Sequence, residues 1–170
     1  MLSKIKNTFL IILFFLASTY CLATNEIPNM LYGKVVRVVD GDTIHIDNKN
    51  LGIIKIRLAE IDTPELDQPF GLEAKNSLKK LVGNKIVKIK KVTVDRYKRI
   101  VAIIYINDIE INYYLVKNGY AWCYEYYNQR EKIKNAEIIA KKKKIGLWGK
   151  ENFKPIPPWE WRKNKRLKNE

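Results

Sequence analysis

Between Tyr32 and Ile106 the chain is a succession of β-branched runs, and that pattern limits the fold more than any other feature. Tyr32–Val39, Thr43–Asp47, Ile53–Glu60, Lys85–Val94 and Ile100–Ile106 are rich in Val and Ile, and several alternate apolar with polar. Asp-Gly, Asn-Lys-Asn and Gly-Asn interrupt them, as turns between strands do. Five strands are predicted. Between the third and fourth lies "PFGLEAKNSLKKLVG", in which Leu72, Leu78, Leu81 and Val82 fit one helical face ending at Gly83. A second helix is expected over Ile111–Lys117. A third follows Asn128, with Ile133, Ala136 and Ala140 at helical spacing and Gly146 as its stop. Five strands with three helices predict an α+β chain, a five-stranded OB-like β-barrel with three helices rather than a βαβ repeat.

Composition narrows the partners. Against 18 Asp and Glu stand 32 Lys and Arg, a formal charge of +14, and such a surface attracts polyanions. Lys4 and Lys6 precede an apolar run, Phe9–Leu16, that is too short to span a bilayer and leads into small residues. Residues 1–23 therefore read as a secretory signal peptide cleaved after Ala23, with Cys21 at the minus-three position. Tyr20 before Cys21 makes a poor lipoprotein box. Cleavage removes Lys4 and Lys6 and no acid, so the charge falls from +14 to +12 over the 147 residues left. The domain organisation expected is signal peptide 1–23, one barrel domain 24–150 and a basic Trp- and Pro-containing tail 151–170. The mature chain is expected in the periplasm or the medium, as a monomer without a membrane span.

Cys123 would then be the one cysteine remaining, which excludes an internal disulfide. No Cys/His cluster suggests zinc. The single His45 lies between Ile44 and Ile46 on a strand, pointing to solvent, so a histidine-based hydrolase is not expected. What stands out in so basic a chain is a concentration of acids: "VVDGDT" at Val38–Thr43 and "IRLAEIDTPEL" at Ile56–Leu66 bring Asp40, Asp42, Glu60, Asp62 and Glu65. A hairpin turn at Asp40-Gly41 accounts for the first of these but not for Asp42 beside it. Asp42 and Asp62 presented side by side at strand ends would make a hard-oxygen cation site.

In order along the chain, "VVDGDTI", "IRLAEIDTPE", "FGLEAKNSLKKLV", "VDRYKR", "LVKNGYAW", "AKKKKIGLW" and "PIPPWEW" resemble the staphylococcal nuclease family. The likeness covers nearly all of Tyr32–Arg162. It implies an OB-type barrel and a calcium-dependent nuclease that hydrolyses the 5′ P–O bond of DNA and RNA to leave 3′-phosphate ends. By the same resemblance Asp42 and Asp62 are Ca2+ carboxylates, Thr63 lends its backbone carbonyl, and Asp40 is a nearby acid or a plain turn residue. Glu65 matches the proposed general base. Arg57 and Arg99 match the arginines that grip the scissile phosphate, as planar paired donors suit phosphoryl oxygens. Tyr97 and Tyr127, with Tyr126 close behind, match substrate-side tyrosines.

The chain also departs from the family's pattern. Lys98 stands where well-known members have Gly before the arginine, and the "ELDQPFG" loop shortens a basic lid. Lys141–Lys144 reads as a solvated helix face. In the tail, with seven basic and three acidic residues from Lys150 to Glu170, the tryptophans are expected to pack on the barrel and "RKNKRLKN" to stay mobile. A barrel that binds nucleic acid without catalysis is the alternative, but it would have lost metal acids or arginines. A binder of membranes or anionic polymers would need the charge alone.

Overall fold

The computed structural model describes residues 27–124, 130–150 and 154–168. Strand β1 (Met30–Val38) pairs antiparallel with β2 (Thr43–Asn48), and β2 with β3 (Gly52–Leu58). Two-residue β4 (Ile61–Asp62) turns away. Strand β5 (Ile86–Val94) returns along β1, and β6 (Ile100–Ile106) along β5. Parallel pairing of β3 with β6, Ile56 opposite Ile100 and Arg57 opposite Val101, closes the five long strands into a barrel. Closure removes the sheet edges and fixes which strand ends meet.

Alternation explains the register. On β2, Ile44 and Ile46 are buried with His45 half-exposed between them, and Ile56, Leu58, Val87, Ile89, Ile100 and Ile104 complete the barrel interior. Each fully buried Ile or Leu contributes roughly 1.5–3 kcal/mol relative to an exposed one. The Asn-Lys-Asn break is a turn in which Asn48 Oδ1 accepts the backbone N–H groups of Asn50 and Leu51, both at 3.0 Å.

Among the described residues four α-helices pack around the barrel instead of three: α1 (Gly71–Val82), α2 (Ile111–Lys117), α3 (Glu131–Lys142) and α4 (Pro158–Leu167). The fourth lies in the tail, so the expected mobility of "RKNKRLKN" is wrong over Arg162–Leu167. Pro158 starts it, where a missing N–H costs nothing. In α1 the buried face is Gly71, Ala74, Leu78 and Val82, while Leu72 is 59% exposed; the apolar stripe runs one position away from the expected one because small Ala74 lets the helix seat closely. Helix α3 ends at Lys142, before Gly146, which instead opens a 3-10 turn (Gly146–Gly149). Two-residue strands β7 (Ile109–Glu110) and β8 (Trp122–Cys123) complete the fold, β8 pairing with β4 so that Asp62 faces Trp122. No helix among the described residues is long and apolar enough to cross a membrane.

Buried Asn112 on α2 ties these layers together. Its amide donates to the carbonyls of Ala59 (2.8 Å) and Ala102 (3.2 Å), and its oxygen accepts the N–H of Ile104 at 3.0 Å. The β3–β4 corner, which carries the acids, is thereby pinned to β6 and α2.

Candidate active site

Asp40, Asp42, Arg57, Asp62, Thr63, Glu65, Tyr97 and Arg99 all border one cleft of about 790 Å3 at the end of the barrel. Tyr127 and Tyr126 lie outside the described residues, as do residues 1–26 with Cys21 and the expected signal peptide. His45 is not in the cleft, and Cys123 is buried in the core.

Two loops meet because of one glycine. A Cβ at Gly41 would stand 2.6 Å from Thr63 Oγ1 and 2.7 Å from Thr63 Cβ, so the "DGD" turn can press against "DTP" only without a side chain there. Contact puts Asp42 Oδ2 on the N–H of Thr63 at 3.2 Å, while Asp42 Oδ1 accepts the Thr43 hydroxyl at 3.0 Å. Gly71 does the same under Glu65. A Cβ there would fall 1.8 Å from the Glu65 carbonyl oxygen, so α1 begins directly beneath that residue.

Arg57 is the hub. It pairs with Asp42 at 3.0 Å, and donates to Asp62 at 2.9 Å and to the carbonyls of Leu58 (2.9 Å) and Ile61 (3.0 Å), which folds the corner around its guanidinium. Burial opposes its charge, but Asp42 and Asp62 outweigh that and hold its pKa above the ordinary arginine value. The acids are less well compensated. Burial, helped by the charge of Asp42, pushes Asp40 up to about 6. Burial likewise pushes Asp62 up to about 6 against the hydrogen bonds of Arg162. Buried carboxylates still held back from ionising despite neighbouring arginines favour an added cation.

Arg99 arrives from the β5–β6 turn. Barrel closure sets Arg57 opposite Val101, two residues beyond Arg99, so one register brings both arginines to the same end. Asp95 organises the turn: its carboxylate accepts the N–H groups of Tyr97 and Arg99 at 2.9 Å and the Arg99 Nε at 2.7 Å. Those bonds hold the Asp95 pKa below its usual value in spite of desolvation. Lys98 adopts the left-handed conformation, φ 60°, that glycine would take without strain. The Arg99 guanidinium lies 5.5 Å from the exposed Tyr97 ring.

The residue that sequence reasoning missed is Arg162. From α4 it donates to Asp62 Oδ2 at 2.7 Å and to Glu65 Oε1 at 2.6 Å. Its place in the site depends on how the tail folds back: Gln68 Nε2 holds the Ile156 carbonyl at 2.6 Å, and the Trp159 ring lies against Tyr124 at 5.7 Å. Glu60 departs in the other direction. It borders the cleft, but with φ 65° its carboxylate is bound by Arg130 and not by the arginines that hold the other acids.

As a metal centre the site offers oxygen only. Among the described residues there is no cluster of three or more His, Cys, Asp or Glu suited to a metal. The donors expected from the family resemblance would be the two carboxylates Asp42 and Asp62 and the Thr63 carbonyl. Each carboxylate has about four lone-pair sites, of which Asp42 uses two, on Thr43 and Thr63, beside its ion pair with Arg57, and Asp62 three, one on Arg57 and two on Arg162. Acceptor capacity is left on both, and a hard set of this kind fits calcium or magnesium rather than zinc.

An OB-type barrel holding buried carboxylates and arginines over an open cleft defines a site for phosphoryl chemistry on an anionic substrate. A profile for staphylococcal nuclease homologues matches residues 55–150. A Haemophilus influenzae protein named an uncharacterized endonuclease is 40% identical over 134 residues, 79% of this chain and 74% of that one. The micrococcal nuclease of Shigella flexneri is 35% identical over 142 residues, 77% and 80% of the two chains. The staphylococcal-like nuclease CAN1 of Arabidopsis thaliana is 44% identical over 112 residues, 66% of this chain but 34% of its own length. The chain belongs to the family of staphylococcal nuclease homologues and is a nuclease-type hydrolase.

Proposed function

We propose that this protein is an exported, calcium-dependent endonuclease without preference for sugar, cleaving the P–O5′ bond of DNA and RNA to leave 3′-phosphate ends. The observation that carries the reading is the convergence of Asp42, Asp62, Glu65, Arg57 and Arg99 on one cleft from four separate segments. Asp42, Asp62 and the Thr63 carbonyl would hold the ion. Calcium bound there would offset phosphate charge and fix the water's approach.

The remaining steps belong to the chain's own side chains. Arg57, locked by two carbonyls and two carboxylates, presents a fixed positive charge to the phosphate. Arg99, held through Nε by Asp95, keeps its two terminal nitrogens for a phosphoryl oxygen. Both contribute most as negative charge grows on the phosphoryl and leaving oxygens, because they need no reorganisation at that moment. Glu65, at the rim, takes the proton from the attacking water; the water oxygen bonds to phosphorus as the P–O5′ bond breaks, and the 5′ oxygen leaves and takes a proton from solvent water. The +12 charge of the mature chain draws the polyanion in.

The test is cleavage of DNA and of RNA by the mature protein with calcium or chelator, followed by analysis of product ends. Calcium-dependent 3′-phosphate products from both substrates are expected. Binding without cleavage under calcium would favour the non-catalytic barrel, and 5′-phosphate ends would overturn the proposed bond.

A further inference from the structure

Helix α4 does more than cover the barrel. Trp159, Arg162 and Arg166 recur at three- and four-residue spacing, so they share one face, and all three border the cleft. The neighbouring face is occupied elsewhere: Trp161 Nε1 donates to Asp67 at 3.4 Å, and Lys165 pairs with the same carboxylate. The helix is thus clamped to the 65–70 loop on one side and turned to the cleft on the other.

Arg162 and Arg166 differ in how their charge is used. The Arg162 guanidinium is spent on Asp62 and Glu65. Arg166 has no carboxylate partner among the described residues and is exposed at the cleft border. An unpaired guanidinium fixed on a helix beside a phosphoryl site is a ready-made bidentate donor for phosphate. Its position is close to the reaction centre: Arg57 and Arg162 bond the same carboxylate, Asp62, and Arg166 is one helical turn further, about 5–6 Å between Cβ atoms. That offset is on the scale of the phosphate repeat along one strand, so Arg166 is placed for a phosphate next to the scissile one.

We propose that α4 is a substrate-binding element, in which Arg166 takes a phosphate flanking the scissile one and Arg162 positions the helix by gripping Asp62 and Glu65. This rests on the nuclease reading for what lies in the cleft. The contact is to phosphate and carries no base preference, so it suits DNA and RNA alike.

The experiment measures anisotropy of a fluorescein-labelled single-stranded DNA in EDTA across a potassium chloride series. Arg166→Gln is expected to weaken binding about five- to tenfold and to flatten the salt slope by about 0.7. Lys163→Gln removes the same charge from a residue of α4 that does not border the cleft, and is expected to change affinity less than about twofold with cleavage unaltered. In calcium, Arg166→Gln should raise KM by the factor seen in binding while kcat falls much less. Arg162→Gln, with folding verified by circular dichroism, should lower both affinity and kcat, and Arg162→Lys should not restore them.

Equal losses for Arg166→Gln and Lys163→Gln, or no loss for Arg166→Gln, would overturn the proposal even if Arg162→Gln failed to fold. A wild-type protein that never cleaves, yet shows the Arg166→Gln effect, would refute the nuclease reading and leave the α4 surface standing.

Discussion

Two arginine–carboxylate clusters flank the β3–β4 corner, and they are built to opposite ends. On the cleft side Arg57 and Arg162 hold Asp42, Asp62 and Glu65, yet burial still pushes Asp62 and neighbouring Asp40 up to about 6. On the far side Arg130 bonds Glu60 and Glu110, each at 2.6 Å, and Lys132 approaches Glu110 at 3.3 Å. There the balance reverses: burial opposes ionisation of Glu110, but the hydrogen bonds and charge of Arg130 outweigh it and hold the pKa below the usual value. Acids satisfied by their own arginines serve structure. Acids left short of positive charge in an open cleft are arranged for something that arrives from solution.

That contrast breaks first at Arg99. Arg99→Ala should reduce kcat by at least about 10²–10³, the order expected for one preorganised electrostatic donor, with a melting temperature close to wild type. Initial rates at saturating DNA and calcium check it. Undiminished turnover would remove Arg99 from the site.

At the structural cluster the reverse is expected. Arg130→Met should cost about 2–3 kcal/mol in urea denaturation, less than the 3–5 typical of a fully buried pair because the guanidinium is about a third exposed. Specific activity per folded molecule should hold. A variant as stable as wild type but inactive would show the two clusters to be one functional unit.

The pH dependence sharpens the same point. Glu110 has a depressed folded pKa, so its contribution is present above the unfolded value, near 4.5, and is lost as pH falls through the folded one. Glu110→Gln should therefore be less stable than wild type at pH 7, with the gap closing below pH 4.5. A gap that widened on acidification would reverse the assignment.

How much of this was legible in the sequence differs by element. Strand limits followed from β-branched runs bounded by turn residues: β6 runs Ile100–Ile106 as expected, although its first five residues are all buried and do not alternate. Asp42 and Asp62 sit together because Gly41 is small, which the turn motif alone hinted at without giving the reason. Helix α1 was harder. Leu72 outranked Ala74 in hydrophobicity, but close seating decided which one was buried. Arg162 was not legible at all: its role depends on Gln68, 88 residues from Ile156 in sequence, and on Tyr124 catching the tail. The same non-locality separated Glu60 from the acids beside it.

The smallest effect concerns Lys98, at the exposed edge of the cleft cluster. With φ 60° it pays the crowding of a left-handed non-glycine residue, on the order of 1 kcal/mol. Yet the turn persists, because Asp95 accepts three bonds through its carboxylate and the backbone pairs Lys98 N–H with the Asp95 carbonyl at 2.9 Å. Lys98→Gly relieves the crowding but adds freedom to the unfolded chain, so the net gain should be about 0.5 kcal/mol, roughly 1–2 °C in melting temperature. Since Asp95 and not residue 98 aims the Arg99 guanidinium, kcat should change less than about twofold. Asp95→Asn separates the two influences: it should lower kcat even when combined with Lys98→Gly. If the double variant regained wild-type turnover, the backbone of the turn, and not the Asp95 carboxylate, would be what positions Arg99.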